Sequence, residues 1–177
     1  DIKEIRPVSF LCIKPWLGVD IFYPQSFKII NKTIKMKAAV YFQYGTPQVL
    51  RIEDVEKPTP KGNEILIRVK ATAVNSGDWR LRKAEPFAVR FIFGLFKPKI
   101  KILGSVFSGV VESVGKNVKL FKVDDFVFGH TDMSFGSYAE YICLPENGSI
   151  ALKPENISHI EAAVIPFGGV TALHFIK

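Results

Sequence analysis

The feature that most constrains this chain is the run from Glu64 to Ala73, which sets Ile65, Ile67 and Val69 against Leu66, Arg68 and Lys70. A period of two turns one set of side chains to a core and the other outward, so the segment reads as a half-buried strand that needs partners on both edges. Ala38–Phe42, Val49–Asp54, Val106–Val114 and Tyr138–Leu144 read the same way. Turn signals separate them at Tyr44-Gly-Thr-Pro47 and at Lys57-Pro-Thr-Pro-Lys-Gly62, and the stretch from Gly129 to Gly136 reads as a loop. Short strands with frequent turns and little helix predict a mainly β fold with some α, a small and partly open barrel rather than an open parallel sheet.

The two ends read differently. The first residue is Asp1 and the first methionine is Met36, where the clean strand pattern starts. Residues 1–35 are therefore expected to be an upstream extension, and residues 36–165 the domain. At the other end, Ile160–Ile165 predicts a helix, Pro166 a break, and Phe167–Lys177 a second helix with no glycine or asparagine to close it. Residues 166–177 are thus expected to begin a link to a further domain.

Composition narrows the function classes. Hydrophobic residues make up 47% and charged residues 23%, which excludes a disordered tail, a collagen-like fibre and a disulfide scaffold. Two cysteines, Cys12 and Cys143, are too few for a structural zinc site and point to a reducing, cytoplasmic compartment. No apolar run reaches the roughly 18 residues of a membrane span, and the candidate Phe87–Phe96 is broken by Arg90, so no membrane partner is expected. The patch Val8–Ile13 is short for a signal peptide. The net charge is +7, and seven basic residues lie between Arg80 and Lys101, interleaved with Phe87, Phe91, Phe93 and Phe96. Such a pattern fits single-stranded nucleic acid, but it is read here as an apolar substrate mouth with a solvated cationic rim, with no nucleic-acid partner.

Three segments carry a resemblance. They are Met36-Lys-Ala-Ala-Val with Pro58-Thr-Pro and Glu64-Ile-Leu-Ile-Arg-Val; Leu103-Gly-Ser-Val-Phe-Ser-Gly-Val-Val-Glu-Ser-Val-Gly115 leading to Phe121–Gly129; and Gly136-Ser-Tyr-Ala-Glu-Tyr141 with Glu161–Ala172. In this order and spacing they resemble the N-terminal, GroES-like catalytic domain of the medium-chain dehydrogenase/reductase superfamily. In the zinc alcohol dehydrogenases of that superfamily a Cys-x-x-Asp turn supplies a metal ligand, and here the turn is Asn75-Ser-Gly-Asp78. The Gly-His-Glu motif is Gly104-Ser105-Val106, and a third ligand position falls at Phe167. No cysteine stands between Ala84 and Lys101, where the resemblance places a structural zinc lobe. The chain thus resembles the zinc-free quinone oxidoreductase branch. It departs from that branch at Ser76, where proline is common, and at Asp124, where glycine is usual.

The resemblance implies a two-domain oxidoreductase, a homodimer when whole, whose Rossmann half binds NADP(H) or, as second choice, NAD(H). The chain has no G-x-G-x-x-G after a strand, and Gly168-Gly169 is expected at a helix–helix junction. It is therefore expected not to turn over by itself. Without a metal, the fitting acceptor is a quinone or an enone or related aldehyde, because electrons arriving as hydride delocalise onto oxygen and need positioned hydrogen-bond donors. The alternatives are a non-catalytic GroES-like binding module and an NAD(P)-dependent alcohol dehydrogenase.

The candidate residues each have two readings. Asn75 is a donor to substrate oxygen or to nicotinamide ribose, or else a turn residue at a strand end. Thr171, with Gly169, is a cofactor contact implied by the resemblance; the other reading of Thr171 is a helix threonine bonded to its own preceding turn. Tyr138 is a candidate catalytic hydroxyl, or a core residue with its hydroxyl exposed. Asp78 reads as a helix cap or a partner of Arg80 or Arg82, and Phe167 as packing where the metal would sit. His130 reads as a solvated loop residue, His159 and His174 as helix residues, and Ser105 and Ser108 lack a nucleophile elbow. No metal ligand is assigned.

Overall fold

A computed structural model describes residues 34–176. Most of the expected extension at 1–35, with Cys12 and the Val8–Ile13 patch, lies outside the described residues, as does Lys177.

Two antiparallel sheets organise the fold. Strands β1 (Lys35–Val40) and β2 (Arg51–Glu56) pair with each other. Strands β3 (Glu64–Ala71), β4 (Val106–Val114), β5 (Phe126–His130), β6 (Tyr141–Pro145) and β7 (Ile150–Leu152) form a five-stranded sheet in the order β6-β3-β4-β5-β7. Backbone bonds from Ala39 N to Tyr138 O (2.8 Å) and from Tyr41 N to Lys101 O (3.0 Å) tie β1 to the larger sheet's connections. The result is the mainly β, partly open arrangement that the alternation predicts.

The core follows from strand patterning. Ile65 and Ile67 of β3 pack with Phe107, Val111, Val127, Ile142 and Leu144. The strict alternation breaks at Leu66, which is also buried, beside a register shift between Leu66 and Ile67. In β4, Val106 through Val111 are all buried, because helix α3 (His159–Ile176) packs on β3, β4 and β5 and covers their second face. Gly109 sits where a Cβ would come 2.4 Å from Arg68 O, so glycine is what lets β3 and β4 approach. A second cluster joins Met36, Ala38, Val40 and Ala139; a third joins Tyr41, Leu81 and Leu103 with half-buried Phe135 and Tyr138.

Several expectations need correction. Two short helices, α1 (Ser76–Lys83) and α2 (Val89–Phe93), fill what was read as turn and mouth. The second strand starts at Arg51, because Pro47–Val49 closes a 3-10 turn first. Residues 138–140 bond to β1, so β6 begins only at Tyr141. The stretch from Gly129 to Gly136 opens with the end of β5, where His130 sits, and holds a 3-10 turn at Asp132–Ser134. Pro166 does not break the chain into two helices. It lies inside α3, so Gly168 and Gly169 are helical and no junction exists there. An interior proline removes one bond and crowds the carbonyl four residues back, which costs about 3 kcal/mol. Here the proline is nonetheless helical, and it is buried, as are Ala162 and Ala163 of the same helix. By length and composition alone α3 is apolar enough to cross a membrane, although His159, Glu161, Thr171 and His174 interrupt its apolar residues.

Candidate functional site

The end of β3 feeds directly into the residue at which sequence and resemblance converge. Asn75 is the N-cap of α1, in extended conformation at φ −116° and ψ 176°. Its Oδ1 accepts from Gly77 N at 2.9 Å and Asp78 N at 3.3 Å, and Asp78 Oδ2 accepts from Asn75 N at 3.1 Å. This reciprocal capping box satisfies helix-start donors that otherwise lack partners. It also fixes the amide: with two N–H groups aimed at Oδ1, the NH₂ must face the other way. There Nδ2 donates to Ser105 Oγ at 2.6 Å. One of the two Nδ2 hydrogens has no partner among the described residues.

Asp78 holds this corner together. It is 1% exposed, and its carboxylate accepts three donors: Asn75 N, Gly104 N at 3.2 Å and the Tyr138 hydroxyl at 2.9 Å. The capping role is present, while neither Arg80 nor Arg82 is an ion-pair partner among the described residues. Burial, and then the neighbouring Asp78 carboxylate, push the Tyr138 phenol well above its ordinary value of 10.0. Its hydroxyl is therefore committed to Asp78, not exposed as the packing reading had it. Tyr138 is thus linked to Asn75 through the Asp78 carboxylate that both bond.

Gly104 completes the frame at φ +93°, where a Cβ would meet Ser137 Oγ at 2.3 Å and Tyr138 Cδ1 at 2.5 Å. Only glycine fits so close an approach in that conformation. Thr131 N donates to Ser105 O at 2.7 Å, which pins the following residue, and Ser105 is 5% exposed.

The remaining candidates lie elsewhere. Thr171 Oγ1 donates to Phe167 O at 2.7 Å, the bond to its own preceding turn, and both Thr171 and Gly169 are exposed on α3. Phe167 is 38% exposed. His159 Nδ1 lies 2.7 Å from the buried Ser108 Oγ, which ties the first residue of α3 to β4. His130 Nδ1 accepts from Asp132 N at 2.8 Å. In the basic stretch, Arg90 lies over the Tyr44 and Phe87 rings and Lys101 over Phe42, while Phe87, Phe91 and Phe96 are exposed and Phe93 packs on Phe135. Two depressions, of about 240 and 320 Å³, are lined around His130 and Ser149 and around Met36 and Cys143; Asn75 borders neither.

The three positions to which the resemblance assigns zinc ligands hold an amide, a hydroxyl and a phenyl ring. They do not make the thiolate, imidazole or carboxylate set that zinc takes. Ser105 is the residue that sequence reasoning undervalued. Its only signal was its place in the Gly104-Ser105-Val106 match.

Residues 61–155 match the family described as alcohol dehydrogenase GroES-like domain. The chain belongs to that family. Within it, the chain is a quinone-oxidoreductase-like member of the medium-chain dehydrogenase/reductase superfamily. It is 36% identical over 150 residues to 2-methylene-furan-3-one reductase of Solanum lycopersicum, a match covering 78% of this chain and 36% of that protein. It is 35% identical over 146 residues to the chloroplastic NADPH-dependent alkenal/one oxidoreductase of Arabidopsis thaliana, again 78% of this chain and 36% of the relative. The quinone oxidoreductase structure from Coxiella burnetii superposes with a TM-score of 0.71 at 34% identity, covering 80% of this chain and 44% of that one. The chain thus spans well under half the length of these relatives.

Proposed function

We propose that the protein to which this chain belongs reduces a quinone or an α,β-unsaturated carbonyl with NADP(H), NAD(H) being the second choice, and needs no zinc to do so. The observation that carries this is the Asn75 amide, turned by its own capping bonds so that one Nδ2 hydrogen is left without a partner among the described residues. The names of the relatives, with NADPH, alkenal/one and quinone in them, support the acceptor class and the cofactor. The poor zinc chemistry of Asn75, Ser105 and Phe167 supports the metal-free route. The low cysteine count supports a cytoplasmic setting, and the resemblance supports a homodimer without nucleic-acid or membrane partners.

Asn75, Gly169 and Thr171 are the residues that would meet the nicotinamide half of the cofactor. Asn75 offers a donor, Gly169 an exposed stretch of helix without a side chain, and Thr171 an exposed oxygen whose hydrogen is already given to Phe167. When bound, the nicotinamide supplies a hydride. The chain's part is to hold the acceptor's carbonyl so that the pushed electron pair settles on an oxygen facing Asn75 Nδ2. The one proton that completes the reduction comes from solvent, because the Tyr138 hydroxyl is engaged by Asp78.

The test separates cap from donor. Serine caps helices about as well as asparagine, so Asn75→Ser should keep the cap and cost only the bond to Ser105, about 0.5–1.5 kcal/mol. Removing a donor aimed at a developing oxyanion costs about 10²–10³ in rate. NADPH oxidation with a quinone by the whole protein should fall by about that factor in Asn75→Ser; an unchanged rate contradicts the proposal.

A further inference from the structure

Asn75 and Ser105 stand thirty residues apart in sequence and touch in the fold. Ser105 Oγ receives the Asn75 hydrogen on one lone pair, so its own O–H points away from Asn75. Among the described residues nothing accepts that hydrogen. The Ser105 backbone is held in place: Thr131 N bonds its carbonyl at 2.7 Å, and the preceding Gly104 is held by Asp78 Oδ1 on its N–H and by Ser137 N on its carbonyl. The corner therefore presents two unspent donors, one N–H and one O–H, whose heavy atoms are 2.6 Å apart. At that separation one acceptor oxygen can take a hydrogen bond from both. Each such oxygen has two lone pairs, and the Asn75→Ser105 bond polarises the serine hydroxyl into a stronger donor.

We infer that Ser105 is a second substrate-contacting residue, which with Asn75 forms a two-donor cradle for the acceptor's carbonyl oxygen where metal-dependent relatives would hold a cation. This rests on the reductase reading above. Both donors are neutral, so the cradle favours an oxygen that gains negative charge during reaction, as in a quinone or enone. It provides no base to take a proton from an alcohol. Ser105 is thus also a determinant of acceptor class.

The experiment uses the whole protein with NADPH and one quinone and one enone as probes. Ser105→Ala should lower kcat/KM by about 10²-fold or more while leaving NADPH affinity unchanged, and Ser105→Thr, which keeps the hydroxyl, should recover most of the rate. In the Raman difference spectrum of the bound enone, Ser105→Ala should raise the carbonyl stretching frequency, a shift that a merely structural role does not produce. Should Ser105→Ala lose its native near-ultraviolet circular dichroism, Ser105→Cys, close in volume and a much weaker donor, replaces it with a fall of about tenfold expected. An active wild type whose Ser105 variants keep their rate and carbonyl frequency overturns the inference and leaves the reductase reading standing. A wild type that reduces neither probe overturns that reading and the inference with it.

Discussion

At the scale of single residues, the site depends on where a few hydrogens go. Tyr138 shows this most directly, since its hydroxyl hydrogen is spent on Asp78 and burial holds the phenol neutral. Tyr138→Phe removes one of three donors from a carboxylate that is 1% exposed. Bonds to charged groups are worth about 1.5–3 kcal/mol, so unfolding in denaturant should show a loss in that range. Activity should fall only through disturbance of the Asp78–Asn75 corner, with no step in the pH–rate profile assignable to tyrosine. The sequence pointed to Asn75 because a matched turn put it where a ligand would be. It hid the Asn75–Ser105 contact, which depends on β4 being brought alongside the end of β3 and leaves no trace in local spacing. It also left Tyr138 open between two roles, because only the buried Asp78 decides which way the hydroxyl turns.

At the scale of elements, α3 is anchored by its first turns. Ser158 and Glu161 form reciprocal bonds of 2.8 Å and 3.2 Å at its start, and Ala162, Ala163 and Pro166 are its buried contacts. His159 adds the bond to Ser108 and stands edge-on to Phe126 at 5.5 Å. Burial first, then Lys153 and Lys70, hold its imidazole below the ordinary 6.5. Above that value both folded and unfolded states carry neutral histidine, and the contribution is whole. As pH falls through and below 6.5 the unfolded chain takes a proton that the folded one resists, so stability drops until the lowered folded value is passed. Melting temperature should therefore fall more steeply between about pH 7.5 and pH 5 in the wild type than in His159→Gln, and equal slopes would contradict this account. The apolar run from Ile160 was read as helix, while the Ser-x-x-Glu cap at 158–161 that starts it went unread. The proline break was misread because interior proline disfavours a helix locally, whereas here Pro166 is buried inside one continuous helix. Helix α1 was missed because Asn75-Ser-Gly-Asp78 is turn chemistry and helix-start chemistry at once. Strand β5 went unread because its five residues, Phe126–His130, include glycine and histidine and lie between turns.

At the scale of the whole molecule, the central claim is that a neutral hydrogen-bonding corner does the work for which metal-dependent relatives use a cation. The mainly β, partly open architecture was legible from alternation and turns, since strand period and turn chemistry are local. The family was legible from motif order across the domain. The direction in which the corner's donors face was not, because it depends on Asp78, Gly104 and Thr131, which converge from separate parts of the chain. One measurement tests the claim most directly: NADPH-dependent quinone reduction by the whole protein, before and after exhaustive chelation, with metal content determined on the same sample. The account predicts an unchanged rate with no stoichiometric zinc. A rate abolished by chelation and restored by added zinc would contradict it.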